Sequence, residues 1–84
     1  MTQVNARPLV LSLLEKKTKL PIGFDDATDF IAAGIVDSIG IIKFVLELES
    51  QFGIELLDSD IESAQFRNVR GLLEMIGQKT ANRR

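Results

Sequence analysis

The segment Ser38–Phe52 constrains the fold more than any other part of the chain. At about 100° per residue, Ile41, Phe44, Val45, Leu48 and Phe52 fall on one narrow stripe, the pattern of a helix buried along one side. Gly53 follows where a C-terminal cap residue is expected. A second apolar stripe, Ile39, Ile42 and Leu46, is centred about 135° from the first. Lys43, Glu47, Glu49, Ser50 and Gln51 occupy much of the remaining circumference. A helix apolar on two sides either lies at the centre of a bundle or keeps one face for a partner. A chain of 84 residues has too few other elements to cover both faces, so the second stripe reads as a docking face. That face begins one residue after Ser38.

The flanking sequence supplies the rest of a helical bundle. A first helix is expected from about Asn5, a cap residue, to Lys17, with Pro8 in its first turn where a missing N–H costs little. Leu9, Val10, Leu13 and Leu14 share its buried face, Leu11 falls off that stripe, and Lys16 and Lys17 sit near the negative end of the helix dipole. Ile54 and Leu56 alternate with Glu55, but a lone strand has no partner, so an extended connection is expected there. Asp58 or Ser59 starts a short third helix through about Ala64. Asn68 caps a last helix from Val69 to about Gly77 that buries Val69, Leu72, Leu73 and Ile76, with residues 78–84 frayed. Gly71 inside that helix costs about 1 kcal/mol relative to Ala, for no reason visible in the sequence beyond close packing. Residues 18–37 make a long connection, anchored by Leu20, Ile22, Phe24, Phe30, Ile31 and Ile35, with Gly34 turning the chain into the next helix. The expected fold is all-α and a single domain over residues 1–84. It has three longer helices, one short third helix and a long ordered loop between helices 1 and 2.

What the chain lacks narrows its chemistry. With no cysteine and no histidine, disulfides, thiolate metal sites and the commonest general base are absent. No metal site is expected, and an enzyme is disfavoured because only carboxylates, lysines and hydroxyls remain. A net charge of −2 gives no electrostatic reason for nucleic-acid binding. No apolar run approaches the roughly 18 residues of a membrane span, and the N-terminal stretch has no small-residue cleavage signal. The expectation is a cytoplasmic monomer.

Asp37–Ser38 taken alone is a helix-cap signal. A nucleophilic serine needs an adjacent base, which no histidine supplies, and Lys43 points to another side of the helix. A third role needs no activation within the chain: another enzyme modifies an exposed hydroxyl at the mouth of the helix. A phosphodiester there would meet free backbone N–H groups and the positive end of the dipole.

Residues 30–56, FIAAGIVDSIGIIKFVLELESQFGIEL, carry a more specific pattern. A glycine and two apolar residues precede D-S-[LI], and an amphipathic helix ends in L-E-x-x-F-x-[IV]-x-[IL]. The elements here are Gly34, Asp37, Ser38, Ile39, Leu48, Glu49, Phe52, Ile54 and Leu56. In this the chain resembles the acyl carrier protein family, including its peptidyl and D-alanyl branches. The resemblance implies a four-helix acyl-carrier-type bundle with no catalytic activity of its own. It implies that Ser38 receives 4′-phosphopantetheine from a phosphopantetheinyl transferase that uses coenzyme A and magnesium, with Asp37 assisting recognition. The thiol of that arm then carries an acyl or aminoacyl group as a thioester to the loading and processing enzymes of a lipid, polyketide, peptide or other specialised pathway. Ile39, Ile42 and Leu46 would be the recognition face, with Glu47 and Glu49 charged at its edges, although a solvated surface explains Glu47 equally well. Lys43 and Gly40 stand where fatty-acid carriers are often acidic, and Leu57 where proline is common. The Asp58–Phe66 region is nearer in length to D-alanyl or peptidyl carriers. These departures point away from housekeeping fatty acid biosynthesis toward a specialised or secondary-metabolite carrier. The rival reading is a helical interaction module in which Ser38 is only a cap.

Overall fold

The computed structural model describes residues 6–81. Within them lie α1 (Ala6–Glu15), α2 (Ser38–Phe52), α3 (Asp58–Ile61), a 3₁₀ turn (Ala64–Arg67) and α4 (Val69–Ala81). The expected all-α architecture, three long helices and one short one with a long gap before α2, is what the chain adopts. The Asn5 cap lies outside the described residues. α1 ends at Glu15, two residues short of the expected Lys17, and passes into a turn in which the Lys17 N–H donates to the Leu14 carbonyl at 3.0 Å. α4 runs a full turn past Gly77 to Ala81, so residues 78–81 are helical rather than frayed. Lys79 in that added turn pairs with Asp60 of α3 at 2.8 Å, which holds it to the body of the domain. The third element divides in two, a short α3 followed by the 3₁₀ turn that buries Phe66.

The core forms where the helical stripes converge. α1 contributes Val10, Leu13 and Leu14, α2 contributes Phe44, Leu48 and Phe52, and α4 contributes Val69, Leu72, Met75 and Ile76. Phe30, Phe44 and Phe66 meet at its centre, with ring centroids 5.7–6.4 Å apart and the Phe30 ring edge-on to the other two, a geometry that aromatic quadrupoles favour. Ile54 and Leu56 are buried on either side of exposed Glu55. That connection is extended without being a strand. Three expectations change. Leu9 is over a third exposed, Leu73 is only half-buried, and Ile22 stands fully in solvent instead of anchoring the loop.

Two backbone hydrogen bonds order the long connection by tying it to the far end of the chain. The Phe30 N–H donates to the Arg67 carbonyl at 2.8 Å, and the Arg70 N–H donates to the Asp26 carbonyl at 2.9 Å. Ion pairs flank both: Arg7–Asp26 at 2.9 Å and Arg67–Asp29 at 2.7 Å. The Asp29 carboxylate also accepts the Ile31 and Ala32 N–H groups, which coils the loop into a turn. From Phe30 the chain reverses through Gly34 at φ +79°, and the N–H groups of Ile35 and Val36 both return to the Phe30 carbonyl. The loop thus delivers residues 37 and 38 to a fixed place above the core.

Gly71 acquires its physical reason here. A Cβ at that position would lie 2.6 Å from the Gln65 carbonyl oxygen and 2.7 Å from the Gln65 Cα. Helix α4 therefore rests backbone to backbone on the 3₁₀ turn, an approach closed to any larger residue. Asn68 caps α4 as expected, its side-chain oxygen accepting the Gly71 N–H at 2.7 Å.

Candidate functional site

Asp37 is the N-cap of α2. Its backbone is extended, and Oδ1 accepts the Gly40 N–H at 2.7 Å, which satisfies one of the donors a helix start leaves unpaired. A Cβ on Gly40 would lie 3.0 Å from that same oxygen, so the glycine leaves the cap carboxylate its room. Ser38 is the first residue of the helix and is exposed. Its Oγ has no hydrogen-bond partner among the described residues. The cap is therefore Asp37, and the reading in which Ser38 serves only as a cap loses its basis. At the opposite end Gly53 adopts the left-handed conformation at φ +64° and closes the helix on the Glu49 carbonyl.

The two stripes separate as their spacing predicts. Phe44 and Leu48 are fully buried, whereas Ile39, Ile42 and Leu46 are 82%, 65% and 60% exposed. Three large apolar side chains thus stand in solvent on the helix that begins at Ser38. Most exposed hydrophobic residues occur singly and need no explanation; a row along one helix face does.

The two glutamates expected at the edges of that face also make contacts within the chain. Glu47 turns to the end of α1, pairing with Lys17 at 3.0 Å and standing 3.8 Å from Lys16. The Glu49 carboxylate accepts the Leu56 N–H at 2.8 Å, which fixes the connection to α3. Their type and helix position suggest surface charge; only the fold shows that each also reaches a neighbouring element.

Lys16, Lys17 and Ile35 join the site without having been singled out for it. Together with Asp37, Gly40 and Lys43 they line an open cleft of about 370 Å³ between the end of α1 and the start of α2. The Lys17 ammonium lies 5.6 Å from the centre of the Phe44 ring, which roots it in the wall. The only sequence signal for the first two was their position at the end of α1; nothing placed that end beside Ser38.

The residues at the start of α2 fit a covalently attached phosphodiester. An idle, exposed hydroxyl stands at the helix mouth, and the N–H groups of Ser38 and Ile39 have no acceptor among the described residues. An anion bonded to that oxygen would lie where the helix dipole and free donors favour negative charge. When bound, phosphopantetheine supplies a mobile thiol that holds cargo as a thioester, chemistry that a chain without cysteine does not otherwise possess.

A small helical domain with an exposed serine at a helix mouth and an exposed apolar face on the same helix has the features that a carrier requires. The comparison with known proteins makes this specific: residues 8–76 match the family described as the phosphopantetheine attachment site, and the chain belongs to that family. Two relatives from Lactiplantibacillus plantarum, D-alanyl carrier protein 1 and D-alanyl carrier protein 2, are each 30% identical to it. Each match spans 66 residues, or 79% of this chain and 82% of the relative. No solved structure matches. The protein is a non-catalytic carrier bearing 4′-phosphopantetheine, placed there by a phosphopantetheinyl transferase. Among the described residues no helix is long and apolar enough to cross a membrane.

Proposed function

We propose that Ser38 is the residue that bears the arm. The observation that supports this is the division of labour at the helix start: Asp37 does the capping, and the Ser38 hydroxyl is exposed with no internal partner. In the transfer, Ser38 Oγ forms a bond to the phosphorus of coenzyme A, the adenosine bisphosphate half leaves, and the hydroxyl proton passes to the transferase. Asp37 serves the transferase from the adjacent position, near the magnesium ion that the enzyme uses.

The Ile39, Ile42 and Leu46 stripe receives the transferase and then the enzymes that load and process the cargo. A small apolar face suits brief, reversible docking, which a carrier needs in order to leave one partner for the next. Glu47 and Glu49 supply charge at the edges of this face, Glu49 while its carboxylate also accepts the Leu56 N–H and Glu47 while paired with Lys17 and, at 3.8 Å, Lys16. The cargo is an acyl or aminoacyl group of a specialised cytoplasmic pathway, and the carrier works as a monomer. The D-alanyl carriers among its relatives support a pathway other than housekeeping fatty-acid synthesis.

The test is direct. The protein is incubated with coenzyme A and a broad-specificity phosphopantetheinyl transferase and weighed intact. The expected result is a gain of one phosphopantetheine that disappears in Ser38→Ala. A gain that survives this substitution would place the arm elsewhere.

A further inference from the structure

The exposed apolar face of α2 is bordered by opposite charges on its two sides. Leu46 lies near the middle of that face. Lys43 leaves the helix about 60° to one side of it and Glu49 about 60° to the other. Lys43 is exposed and makes no ion pair among the described residues. The carboxylate one turn farther along, Glu47, is turned to Lys17 at 3.0 Å and stands 3.8 Å from Lys16. Asp37, on the preceding side, accepts the Gly40 N–H of its own helix. The edge of the face toward α1 therefore ends in one unpaired cation, Lys43.

The other edge is acidic. The Glu49 carboxylate accepts the Leu56 N–H at 2.8 Å, which draws the start of α3 to this side of α2. Leu57 follows, more than half exposed, and extends the apolar surface. Asp58 and Glu62 come next, both exposed and without an ion pair among the described residues, whereas Asp60 between them is paired with Lys79. An apolar contact decides where a partner lands and leaves its rotation about the contact free. Opposite charges on the two edges fix that rotation. A partner with a uniformly basic rim meets Lys43 with like charge, and one with a uniformly acidic rim meets Asp58 and Glu62.

We propose that this face selects partner enzymes of one charge layout: an apolar pocket with a carboxylate on the rim that meets Lys43 and a lysine or arginine on the rim that meets Asp58 and Glu62. The inference rests on the reading of Ile39, Ile42 and Leu46 as the docking face. Two helical peptides of about four turns serve as probes. They share a row of leucines and differ in one flanking row, glutamate in the first and lysine in the second. Each is titrated into the intact protein at low salt while its amide chemical shifts are followed. Both are expected to shift the amides of Ile39, Ile42 and Leu46. The glutamate peptide adds Lys43 to that set, and the lysine peptide adds Asp58 and Glu62. Lys43→Glu weakens the glutamate peptide and strengthens the lysine peptide by about threefold each, the worth of one exposed ion pair, and Lys43→Gln changes each by less. These differences fade in 1 M salt, where screening acts within about 3 Å. The same set of shifted amides with both peptides, or affinities that Lys43→Glu leaves unchanged, would overturn the charge selection and leave the docking face standing. Silence at Ile39, Ile42 and Leu46 with both peptides, or binding that survives Ile42→Glu, would remove the docking face and this inference with it.

Discussion

Two residues, Asp37 at the start of α2 and Gly71 in the first turn of α4, do work that their types do not announce. Asp37 and Ser38 are adjacent and both capable of capping, yet only the carboxylate turns back to the Gly40 N–H, leaving the hydroxyl to others. Asp37→Ala is expected to cost about 1 kcal/mol of stability, the usual worth of a lost N-cap, while Asp37→Asn keeps the fold. If Asp37 also serves the transferase, Asn at this position slows modification of a protein whose urea midpoint is unchanged, a separation that intact-mass time courses resolve. Gly71 makes the opposite case, a residue that propensity alone would remove. Ala is better than Gly in a helix by about 1 kcal/mol, but the added Cβ would meet Gln65 backbone atoms at 2.6 and 2.7 Å. Backbone has no flexible end to swing aside, so Gly71→Ala is expected to destabilise by about 1–3 kcal/mol, the range for overpacking. A rise in the urea midpoint would show that the 3₁₀ turn yields.

α2 carries the evidence of two separate pressures, and substitutions along it should divide accordingly. Phe44→Ala empties the centre of the aromatic cluster and is expected to cost about 3–5 kcal/mol, enough to unfold much of a domain this small. Ile42→Glu, two residues earlier on the exposed face, is expected to change stability by less than about 0.5 kcal/mol while slowing processing by partner enzymes. If Ile42→Glu unfolds the protein in thermal melts, the stripe belongs to the core after all. This helix was legible in the sequence because fifteen residues give the 3.6-residue period room to show itself and both ends carry cap residues. The third element was legible only as a location. Four helical residues hold too little periodicity to separate an α-helix from the 3₁₀ turn after it. The intrachain contacts of Glu47 and Glu49 were not legible for a related reason: helix phase gives the direction a side chain leaves the axis, not which neighbouring element stands there. The cleft was not legible at all, since it requires the end of α1 and the start of α2 to be side by side.

At the scale of the molecule, the stabilising links are tertiary and several are ionic. The Lys79 ammonium, and then the Leu57 N–H, hold the Asp60 carboxyl below its ordinary range. The Ala32 N–H, and then the Arg67 guanidinium, do the same for Asp29, and Arg7 for Asp26. Each of these carboxyls binds protons more readily in the unfolded chain than in the folded one. Their contribution is therefore complete above the ordinary aspartate range and is lost as pH falls through it. Thermal melts are expected to be flat near neutrality and to drop below about pH 4, less steeply in Asp60→Asn. The backbone bonds that join Phe30 to Arg67 and Arg70 to Asp26 had no signature in the sequence, because any residue but proline could donate them. They predict that the Phe30 amide, though in a loop, exchanges with solvent only on global unfolding. The contact of α4 with Gln65 has a further consequence for anyone wishing to remake this domain. A chain segment that touches its neighbour backbone to backbone tolerates insertion poorly, whereas Ile22 in the long connection stands fully in solvent. A linker, tag or grafted recognition loop therefore belongs at Ile22 and not within Ala64–Arg67, where the same addition would pry α4 away from the turn that seats it.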